Sequence, residues 1–421
     1  MSSIINNSNA NSALINTLES SDSLVNPNVY STKEIYPMSA MTWSTNQKSN
    51  GVSTAGDQMN FNLNKYGIIE QILLNYSKII TATGGVGAEL PACDFMNVIN
   101  RIELLSASRV VSILTSEDLV AQFSDLTASQ YDPIFRTACN KRGSSTTAVG
   151  TALTLNYVIP LTYGFMQDIN TQLNASFLEP LSIRVTWNSG LGLFNGLDGA
   201  GADTIHNTGT VANTFLYVRY KAYPEAPTAQ ILASNYNQPE LVQVSTRFYD
   251  ENATNFERLA GAVKIDDYEM KCELRNTDCV EDFYVMVRRV DASGQFGNPL
   301  PIKSIVLRGS GQEILNLNEQ AIPYMKLTEN GFSMGTSEGV DDIANMRNVA
   351  KIQTGYYEHA NGGAISNSMS LRELNAPVIE VTVDVPADAA GGTIRMNVME
   401  NCTAIYSTSS AIGRLSLALS N

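Results

Sequence analysis

The chain has 421 residues, of which 43% are hydrophobic and only 16% charged, and its formal net charge is −14. This length suits two domains of ordinary size, each with a substantial core. The acidic balance argues against a protein that grips a phosphate backbone, because such proteins cluster Lys and Arg. The tightest basic groupings are Lys141-Arg142 and Arg288-Arg289. We therefore predict no direct nucleic-acid contact by the folded body.

The first 30 residues are rich in Asn and Ser, and they predict a flexible N-terminal arm. Within this arm, Leu14, Ile15 and Leu18 would share one face of a short helix capped by Ser12. Such an arm would order against a neighbouring subunit or a membrane. The N-terminus lacks the basic and apolar regions of a signal peptide, so we expect no secretory export. No apolar run reaches the length of a membrane span.

Residues 31–225 form the first predicted domain, in which short apolar runs alternate with turn-rich gaps, as in strands. The clearest run is Leu181–Trp187, where four apolar residues alternate with three polar ones. One helix is predicted at Ser116–Leu126, because Leu119, Val120 and Phe123 form an apolar stripe and acidic residues favour its first turn. The other predicted strands are Ile68–Leu74, Val98–Leu105, Leu153–Ile159 and Thr214–Tyr223.

A polar, proline-containing segment predicts a linker at residues 226–240, followed by a second domain at 241–421. There, Phe283–Val290 is nearly all apolar up to its arginines, which predicts a strand buried on both faces. Four further strands show simple alternation, marked by Met270, Cys272 and Leu274; by Ile379, Val381, Val383 and Val385; by Ile394, Met396 and Val398; and by Leu415, Leu417 and Leu419. Many short strands favour β-sandwiches or jelly rolls. The similar halves suggest a duplicated domain, although no sharp sequence repeat is visible.

Groups able to do chemistry are few and isolated. His206 and His359 each lie in a loop-like stretch without the clustered ligands of a metal site. The glycine-rich segment 195–203 lacks the acidic spacing of a calcium-binding EF-hand. For Cys272 and Cys279 a disulfide and reduced thiols are the alternatives, and we favour thiols. We predict no catalytic, cofactor-binding or metal-ligating residue.

Adjacent carboxylates also give no active site. Neighbours on a strand point to opposite faces, so solvated turns explain them better than acid–base pairs. The four pairs are Asp250-Glu251, Asp266-Asp267, Glu281-Asp282 and Asp341-Asp342. The glycine-containing segments GGVGAEL at Gly84 and RGSGQE at Arg308 are predicted loops without the context of a phosphate cradle.

Three segments of the first half, taken in their order along the chain, resemble segments of a known protein family. The segments YVIPLTYGF at Tyr157, FLEPLSIRVTW at Phe177 and FLYVRYKAY at Phe215 resemble the closing strands of the first jelly roll in double jelly-roll major capsid proteins. In that family an IPL run precedes an LPL-type element. The first element is matched by Ile159, Pro160 and Leu161, and the second is approximated by Leu178, Pro180 and Leu181.

The second half continues the resemblance. EDFYVMVRR at Glu281 and PIKSIVLRGSGQEI at Pro301 are similar to early strands of the second jelly roll. GGAISNSMSLRELNAPVIEVTV at Gly362 resembles a polar stretch before a late strand, and IRMNVMENCTAIYSTSSAIGRLSLAL at Ile394 resembles the terminal strand pair. The matching single residues are Ser368, Ser370 and Arg372, Asn401 near a polar turn, and Gly413 before the last strand. The family's usual proline is absent before Gly362, so a small tailless, membrane-containing bacteriophage is the nearer likeness.

The resemblance implies an all-β protein of two consecutive eight-stranded jelly rolls, with long loops and a few short helices. It implies a structural major capsid protein and no enzyme. Three chains would form a pseudo-hexagonal capsomer that tiles an icosahedral shell. The implied partners are other copies of the chain, neighbouring capsomers, penton or spike and minor capsid proteins, and an internal viral membrane contacted through the arm. The implied location is the virion, after synthesis in the host cytoplasm.

Two other functions stay open at this point. The first is a β-sandwich that binds a receptor or glycan, as spikes and lectins do. Exposed aromatics such as Tyr356-Tyr357 would favour it, although interface packing explains such a pair equally. The second is a polysaccharide-acting enzyme on a jelly roll, which needs two convergent carboxylates that no spacing in the sequence selects.

Overall fold

The computed structural model of the protein describes residues 42–43, 53–54, 56–64, 68–82, 97–124, 152–163, 175, 178–188, 205–221, 243–253, 257–258, 264–274, 279–290, 296–323, 325, 348–353, 369–371, 374–386, 393–409 and 414–419. Within these ranges the chain is nearly all β. The first half contributes β1 (Thr42–Trp43), β2 (Ser53–Thr54), β3 (Gln58–Asn62), β4 (Ile68–Ala82), β5 (Ile99–Ser106), β6 (Arg109–Thr115), α1 (Ser116–Ser124), β7 (Ala152–Pro160), β8 (Leu181–Trp187) and β9 (Ile205–Lys221).

The strands of the second half begin at residue 243. They are β10 (Gln243–Ala253), β11 (Glu257–Arg258), β12 (Ile265–Glu273), β13 (Cys279–Val290), β14 (Phe296–Pro299), β15 (Ile302–Gly309), β16 (Gln312–Asn318), β17 (Val349–Gln353), β18 (Met369–Ser370), β19 (Val378–Val385), β20 (Thr393–Ser409) and β21 (Arg414–Leu419). No helix in the described ranges is both long and apolar enough to cross a membrane.

The strands form four antiparallel sheets. Sheet 1 has the order β1-β9-β4-β7, with β2 also on β9, and sheet 2 has the order β3-β8-β5-β6. Sheet 3 is built on β10-β20-β13-β14, with β11 and β21 also on β20 and with β17 and β18 also on β13. Sheet 4 has the order β12-β19-β15-β16. The first half therefore supplies sheets 1 and 2, and the second half supplies sheets 3 and 4.

Each pair of sheets encloses a core. In the first sandwich, Tyr76 of sheet 1 stacks on Tyr157 with ring centroids 4.7 Å apart, and it meets Trp187 of sheet 2 edge-on at 5.3 Å. In the second sandwich, Ile305 and Val381 of sheet 4 pack with apolar residues of sheet 3. Inward and outward residues alternate along the strands, as the period of a half-buried strand requires.

The strands predicted from alternation are all present. Leu181–Trp187 has the predicted bounds, and β4 and β7 extend beyond Ile68–Leu74 and Leu153–Ile159. Strand β5 begins one residue after the predicted Val98, and β9 begins before Thr214 and is described as far as Lys221. The predicted helix begins at Ser116 as expected and is described as far as Ser124. Its start is fixed by reciprocal hydrogen bonds: the Thr115 backbone N–H donates to Asp118 Oδ2 at 2.8 Å, and the Asp118 N–H donates to Thr115 Oγ1 at 3.2 Å. This is a capping box with Asp in place of Glu.

Several predictions of loops or turns are wrong, including that for Asp266-Asp267, which lies in an exposed part of β12. His206 lies in β9, opposite Thr81 of β4. Asp250 and Glu251 lie in β10, opposite Glu400 and Met399 of β20. In the latter two places a polar run resembles a loop in composition, but pairing with a long neighbouring strand holds it extended. Strand propensity is weak enough for such tertiary contacts to override it.

The two sandwiches share one topology. Strands β3, β8, β5 and β6 occupy the same order as β12, β19, β15 and β16, and β9-β4-β7 corresponds to β20-β13-β17. The hairpins β5–β6 and β15–β16 are the same in detail. Each turns through two residues with positive φ, Ala107 and Ser108 in one and Ser310 and Gly311 in the other, as in type I′ turns. This correspondence of seven strands per sandwich establishes an internal duplication.

The duplication reaches the level of single residues. Register shifts fall at equivalent places, between Leu104 and Leu105 and between Leu307 and Arg308. The strands β4 and β13 also share a shift, at Glu70 and at Glu281. Four pairs of identical, buried residues stand at one constant separation along the chain: Ile99 and Ile302, Ile102 and Ile305, Leu104 and Leu307, and Leu114 and Leu317.

We predict that Ile102→Ala and Ile305→Ala have similar effects, because the two side chains fill equivalent, fully buried positions. Each change should lower the free energy of unfolding by about 2–5 kcal/mol, the usual range for truncating a buried isoleucine. Denaturant titration of the purified variants measures this. The matched control is Val110→Ala, since Val110 is 45% exposed. Clearly unequal losses in the two core variants would contradict the equivalence, and an equal loss in the control would show that the losses do not arise from core burial.

Candidate assembly interface

Strand β13 is buried on both faces, as predicted for Phe283–Val290, and its two faces have different partners. Phe283 and Val285 pack in the core of the second sandwich. Tyr284 and Met286 point the other way and belong to the core cluster of the first sandwich. The outer face of sheet 3 is therefore covered by the first sandwich.

Neighbouring strands extend this covered surface. Val349 of β17 lies opposite Met286, and Met399 of β20 lies opposite Tyr284. Both join the same apolar cluster as the first sandwich. We call the contact between the sandwiches the seam. It comprises Glu117 of the first sandwich and, from sheet 3, Asp282, Tyr284, Met286, Arg288, Val349, Lys351, Asn397, Met399 and Asn401.

Helix α1 supplies a charged contact across the seam. Its predicted apolar stripe is buried in the first sandwich, and the helix lies against β20. Arg288 Nη2 donates to Glu117 Oε1 at 3.0 Å and to Asn397 Oδ1 at 3.3 Å. The Arg288 side chain is fully buried, and that of Glu117 is 9% exposed. A buried ion pair thus joins the two sandwiches at one end of the seam.

A second buried pair lies at the other end. Lys351 Nζ is 3.6 Å from Asp282 Oδ2, and Asn401 Nδ2 donates to the same oxygen at 3.3 Å. Lys351 Nζ is also 5.4 Å from the ring centroid of Tyr284, within the range of a cation–π contact. The seam therefore has an apolar centre between two charged ends.

Two sequence predictions are wrong at this second pair. Glu281-Asp282 was expected in a solvated turn, but Asp282 lies in β13 and is fully buried. Asn401 was expected near a turn, but it lies inside β20, opposite Asp282. Asp282 Oδ2 and Asn401 Nδ2 find partners across the strands, and sequence spacing does not reveal such partners.

The seam also absorbs one of the two basic groupings. Arg288 is fully buried, and Arg289 is 4% exposed. Neither guanidinium is available to a phosphate backbone at the protein surface. Lys141-Arg142 lies outside the described residues, as do the arm 1–30, the linker 226–240, the segment 195–203, GGVGAEL, His359, Asp341-Asp342, Tyr356-Tyr357, Ser368, Arg372 and Gly413.

The outer face of sheet 4 carries ion pairs of a more exposed kind. Glu380 of β19 accepts hydrogen bonds from Lys271 at 2.6 Å and from Arg308 at 2.9 Å, and these cations lower its pKa. Lys303 and the Asp267 backbone N–H likewise lower the pKa of Asp384. Both carboxylates stabilise the fold at pH values above the ordinary pKa of a carboxyl group. That contribution is lost as the pH falls through the lowered pKa values.

Sheet 2 has a related pair at an equivalent strand position. Arg184 of β8 donates to Glu103 of β5, which raises the pKa of the Arg184 guanidinium. Arg101 lies 3.4 Å from the same carboxylate. Burial, with a further contribution from Glu103, raises the pKa of Tyr163. Arg308, which begins RGSGQE, leads into the β15–β16 turn and pairs with Glu380 and Glu313.

The described residues contain no group of three or more His, Cys, Asp or Glu side chains placed to hold a metal ion. Cys272 is a buried thiol in the second sandwich. Cys279 lies in β13, where it is paired with Ser370 of β18 in sheet 3. The arrangement with functional content is therefore the seam, a surface that joins folded units.

Comparison with known proteins identifies the fold. No family model and no curated protein matches the sequence. Among solved structures, PBCV-1 VP54, fitted into a reconstruction of the virophage Sputnik, has a TM-score of 0.57 at 12% identity, covering 90% of this chain and 98% of that one. The mavirus major capsid protein has a TM-score of 0.56 at 11% identity, covering 90% of each chain. The Faustovirus major capsid protein has a TM-score of 0.56 at 11% identity, covering 87% and 90%.

These structures are double jelly-roll major capsid proteins. The chain described here therefore has the double jelly-roll fold, with one roll in each half, which confirms the predicted fold class. The first sandwich is the first roll, and the second sandwich is the second roll. At 11–12% identity the similarity defines the fold, and the function is argued separately below.

We predict strong coupling between Glu117 and Arg288. Glu117→Leu or Arg288→Met alone leaves one charge buried without its partner, so each should destabilise the protein by about 3–5 kcal/mol. The double variant removes both charges, and its stability should return close to that of the wild type. Denaturant unfolding of the four proteins measures the coupling.

The exposed pair Lys271–Glu380 serves as the control for this cycle, because Lys271 is 61% exposed. Replacing Lys271 by Met should change stability by less than about 1 kcal/mol. If the Glu117 and Arg288 single variants are no more harmful than this control, the seam does not depend on its ion pair.

Proposed function

We propose that the chain is a structural major capsid protein that trimerises into pseudo-hexagonal capsomers, and that these tile an icosahedral virion shell. The observation that carries this proposal is the seam, which holds two rolls of the same topology side by side through a buried contact. Three such chains would present six similar units, which fits a lattice position with six neighbours. The fold likeness to the mavirus and Faustovirus major capsid proteins supports the same conclusion.

The domain division follows the sheets. We assign residues 1–30 to an arm, 31–225 to the first roll, 226–240 to a linker and 241–421 to the second roll. In support, the strands of sheets 1 and 2 lie between Thr42 and Lys221, and those of sheets 3 and 4 lie between Gln243 and Leu419. The linker therefore falls between the last strand of one roll and the first strand of the other.

The proposed role is structural and not catalytic. The carboxylates Glu103, Glu117 and Glu380 each contact a basic side chain, which suits a role in stability. A glycosidase on this fold would instead need two carboxylates facing a common groove. We infer further contacts with penton or spike and minor capsid proteins, synthesis in the host cytoplasm, and no direct contact of the folded body with nucleic acid.

The test of the proposed function is the mass of the purified protein in solution. Light scattering should give three times the 45.7 kDa mass of one chain. Negative-stain images of that species should show a six-sided outline. A protein that stays monomeric at high concentration would contradict the capsomer proposal, and glycan-binding screens would then test the receptor-binding alternative.

We also propose that the N-terminal arm contacts the internal viral membrane or adjoining capsomers. The Asn- and Ser-rich composition of residues 1–30 supports an arm that orders only on binding. Deleting residues 2–25 should leave the trimer intact but reduce the yield of closed shells in a particle-assembly assay. Normal particles built from the truncated protein would show that the arm is dispensable.

A further inference from the structure

The internal duplication predicts a second seam, because every surface that forms the seam has a counterpart elsewhere in the chain. The covered face belongs to sheet 3, and its counterpart is the outer face of sheet 1. The covering elements are α1 and β6, which lies against β10 and β21 of sheet 3. Their counterparts are the capped turn that follows β16 and β16 itself. Within one chain, α1 meets the outer face of sheet 3. The capped turn that follows β16 does not meet the outer face of sheet 1.

The register of the strands fixes the counterparts on the two sheets. Strands β4 and β13 align through their shared register shift, which places Leu73 at the position of Tyr284. Pairing with the neighbouring strands then defines the remaining positions. The equivalent pairs are Gln71 and Asp282, Leu73 and Tyr284, Asn75 and Met286, Val158 and Val349, Pro160 and Lys351, Phe215 and Asn397, Tyr217 and Met399, and Arg219 and Asn401.

The two faces differ consistently in their exposure to solvent. All eight positions on sheet 3 are at most 2% exposed, because the first roll covers them. All eight equivalents on sheet 1 are accessible, with Gln71 exposed and the other seven half-buried. The accessible face keeps an apolar centre, formed by Leu73, Val158, Phe215 and Tyr217. We call this group the sheet 1 patch.

The covering element α1 and the capped turn that follows β16 begin and are anchored in the same manner. Asn318 Oδ1 accepts hydrogen bonds from the backbone N–H groups of Gln320 and Ala321, so it caps a turn as Thr115 caps α1. Ile322 anchors this turn in the second roll, as Leu119 anchors α1 in the first, and both are fully buried.

Solvent reaches this turn where it does not reach α1. Ser116 and Glu117 of α1 are buried, but their counterparts Glu319 and Gln320 are exposed. Val120 is buried, and its counterpart Pro323 is half-buried. The capped turn 318–323 therefore presents a surface equivalent to the one that α1 places against sheet 3.

We propose that the sheet 1 patch of one copy binds the capped turn 318–323 and the adjoining β15–β16 edge of a second copy. This inference rests on the proposed function and specifies the surfaces that would join its subunits. The contact is heterologous, since different surfaces of the two copies meet, and such contacts generate closed rings or open chains. The intrachain seam provides the template for its geometry, and its occupant is another copy because the matching element is present in every chain.

The second seam differs from the first in chemistry. Glu117, which pairs with Arg288 in the first seam, is replaced by Gln320 in the capped turn. Asp282 and Lys351 are replaced on sheet 1 by Gln71 and Pro160. The sheet 1 side of the contact is therefore mainly apolar, with Arg219 as its one charged position, and Glu319 is a charge on the facing turn. Association should depend on salt only modestly, as expected where few charges pair.

Two variants test the inference. Val158→Lys places a charge in the sheet 1 patch, and it should weaken association at least about tenfold, because an unpaired buried charge is strongly unfavourable. Val110→Lys is the matched control, since Val110 also lies on an edge strand, is 45% exposed and is outside the proposed contact. Light scattering across a dilution series measures both, and circular dichroism checks that both variants fold.

Photo-crosslinking identifies the partner surface independently of those variants. Benzoylphenylalanine in place of Tyr217 should give covalent dimers on irradiation, and peptide mapping of the dimer band should locate the link at residues 318–323 or in β15–β16. If the wild type assembles but the links fall elsewhere, or Val158→Lys assembles normally, the second seam is wrong and the capsomer proposal survives. If the wild type remains monomeric in every experiment, both proposals fail.

Discussion

The structure depends on the burial of one strand from two sides. Strand β13 must satisfy the core of its own roll with Phe283 and Val285 and the neighbouring roll with Tyr284 and Met286. Because both faces of β13 are buried, its segment shows no alternation of apolar and polar residues. The same burial also explains the arginines at its end, because Arg288 reaches Glu117 at the edge of the seam. A chain with two rolls and no such strand would be two domains on a linker.

Duplication followed by divergence accounts for the rest of the architecture. The two rolls retain the same turns, register shifts and buried isoleucines. Their outer faces, in contrast, differ in charge, polarity and burial. Sheet 4 carries solvated ion pairs such as Lys271–Glu380, whereas the carboxylate of the sheet 2 pair, Glu103, is buried against Arg184. Sheet 3 buries its charges against the first roll, and sheet 1 keeps an apolar, accessible centre. The outer faces, and not the cores, therefore distinguish the two rolls.

The sequence predicts those features that depend on local pattern. Alternation located strands such as Leu181–Trp187, and an apolar stripe with acidic residues located α1. Burial of polar residues was missed at Asp282 and Asn401, because their partners come from other strands and have no fixed spacing. The turn at Ala107 and Ser108 lacks the Asn-Gly signature of its type.

The sequence repeat was missed for a related reason. The matching positions, such as Ile102 and Ile305, share only aliphatic side chains, and these are common in any β protein. Identity at such positions becomes significant only when strand pairing shows that both residues occupy the same place in a sheet. The candidate interface was likewise beyond sequence reasoning, because a seam exists only once two distant segments are brought together.

The difference in chemistry between the intrachain seam and the proposed second seam follows from how their partners meet. Within one chain the two rolls are tethered, so their effective concentration is high and the contact needs little affinity of its own. Buried charges such as Arg288 and Glu117 then select one placement of the two rolls relative to each other. Buried ion pairs are better suited to this role than to adding net stability. Separate copies meet without a tether and must offset the loss of translational and rotational freedom. Apolar burial is the interaction best able to do this, and it is the one that the sheet 1 patch offers through Leu73, Val158, Phe215 and Tyr217.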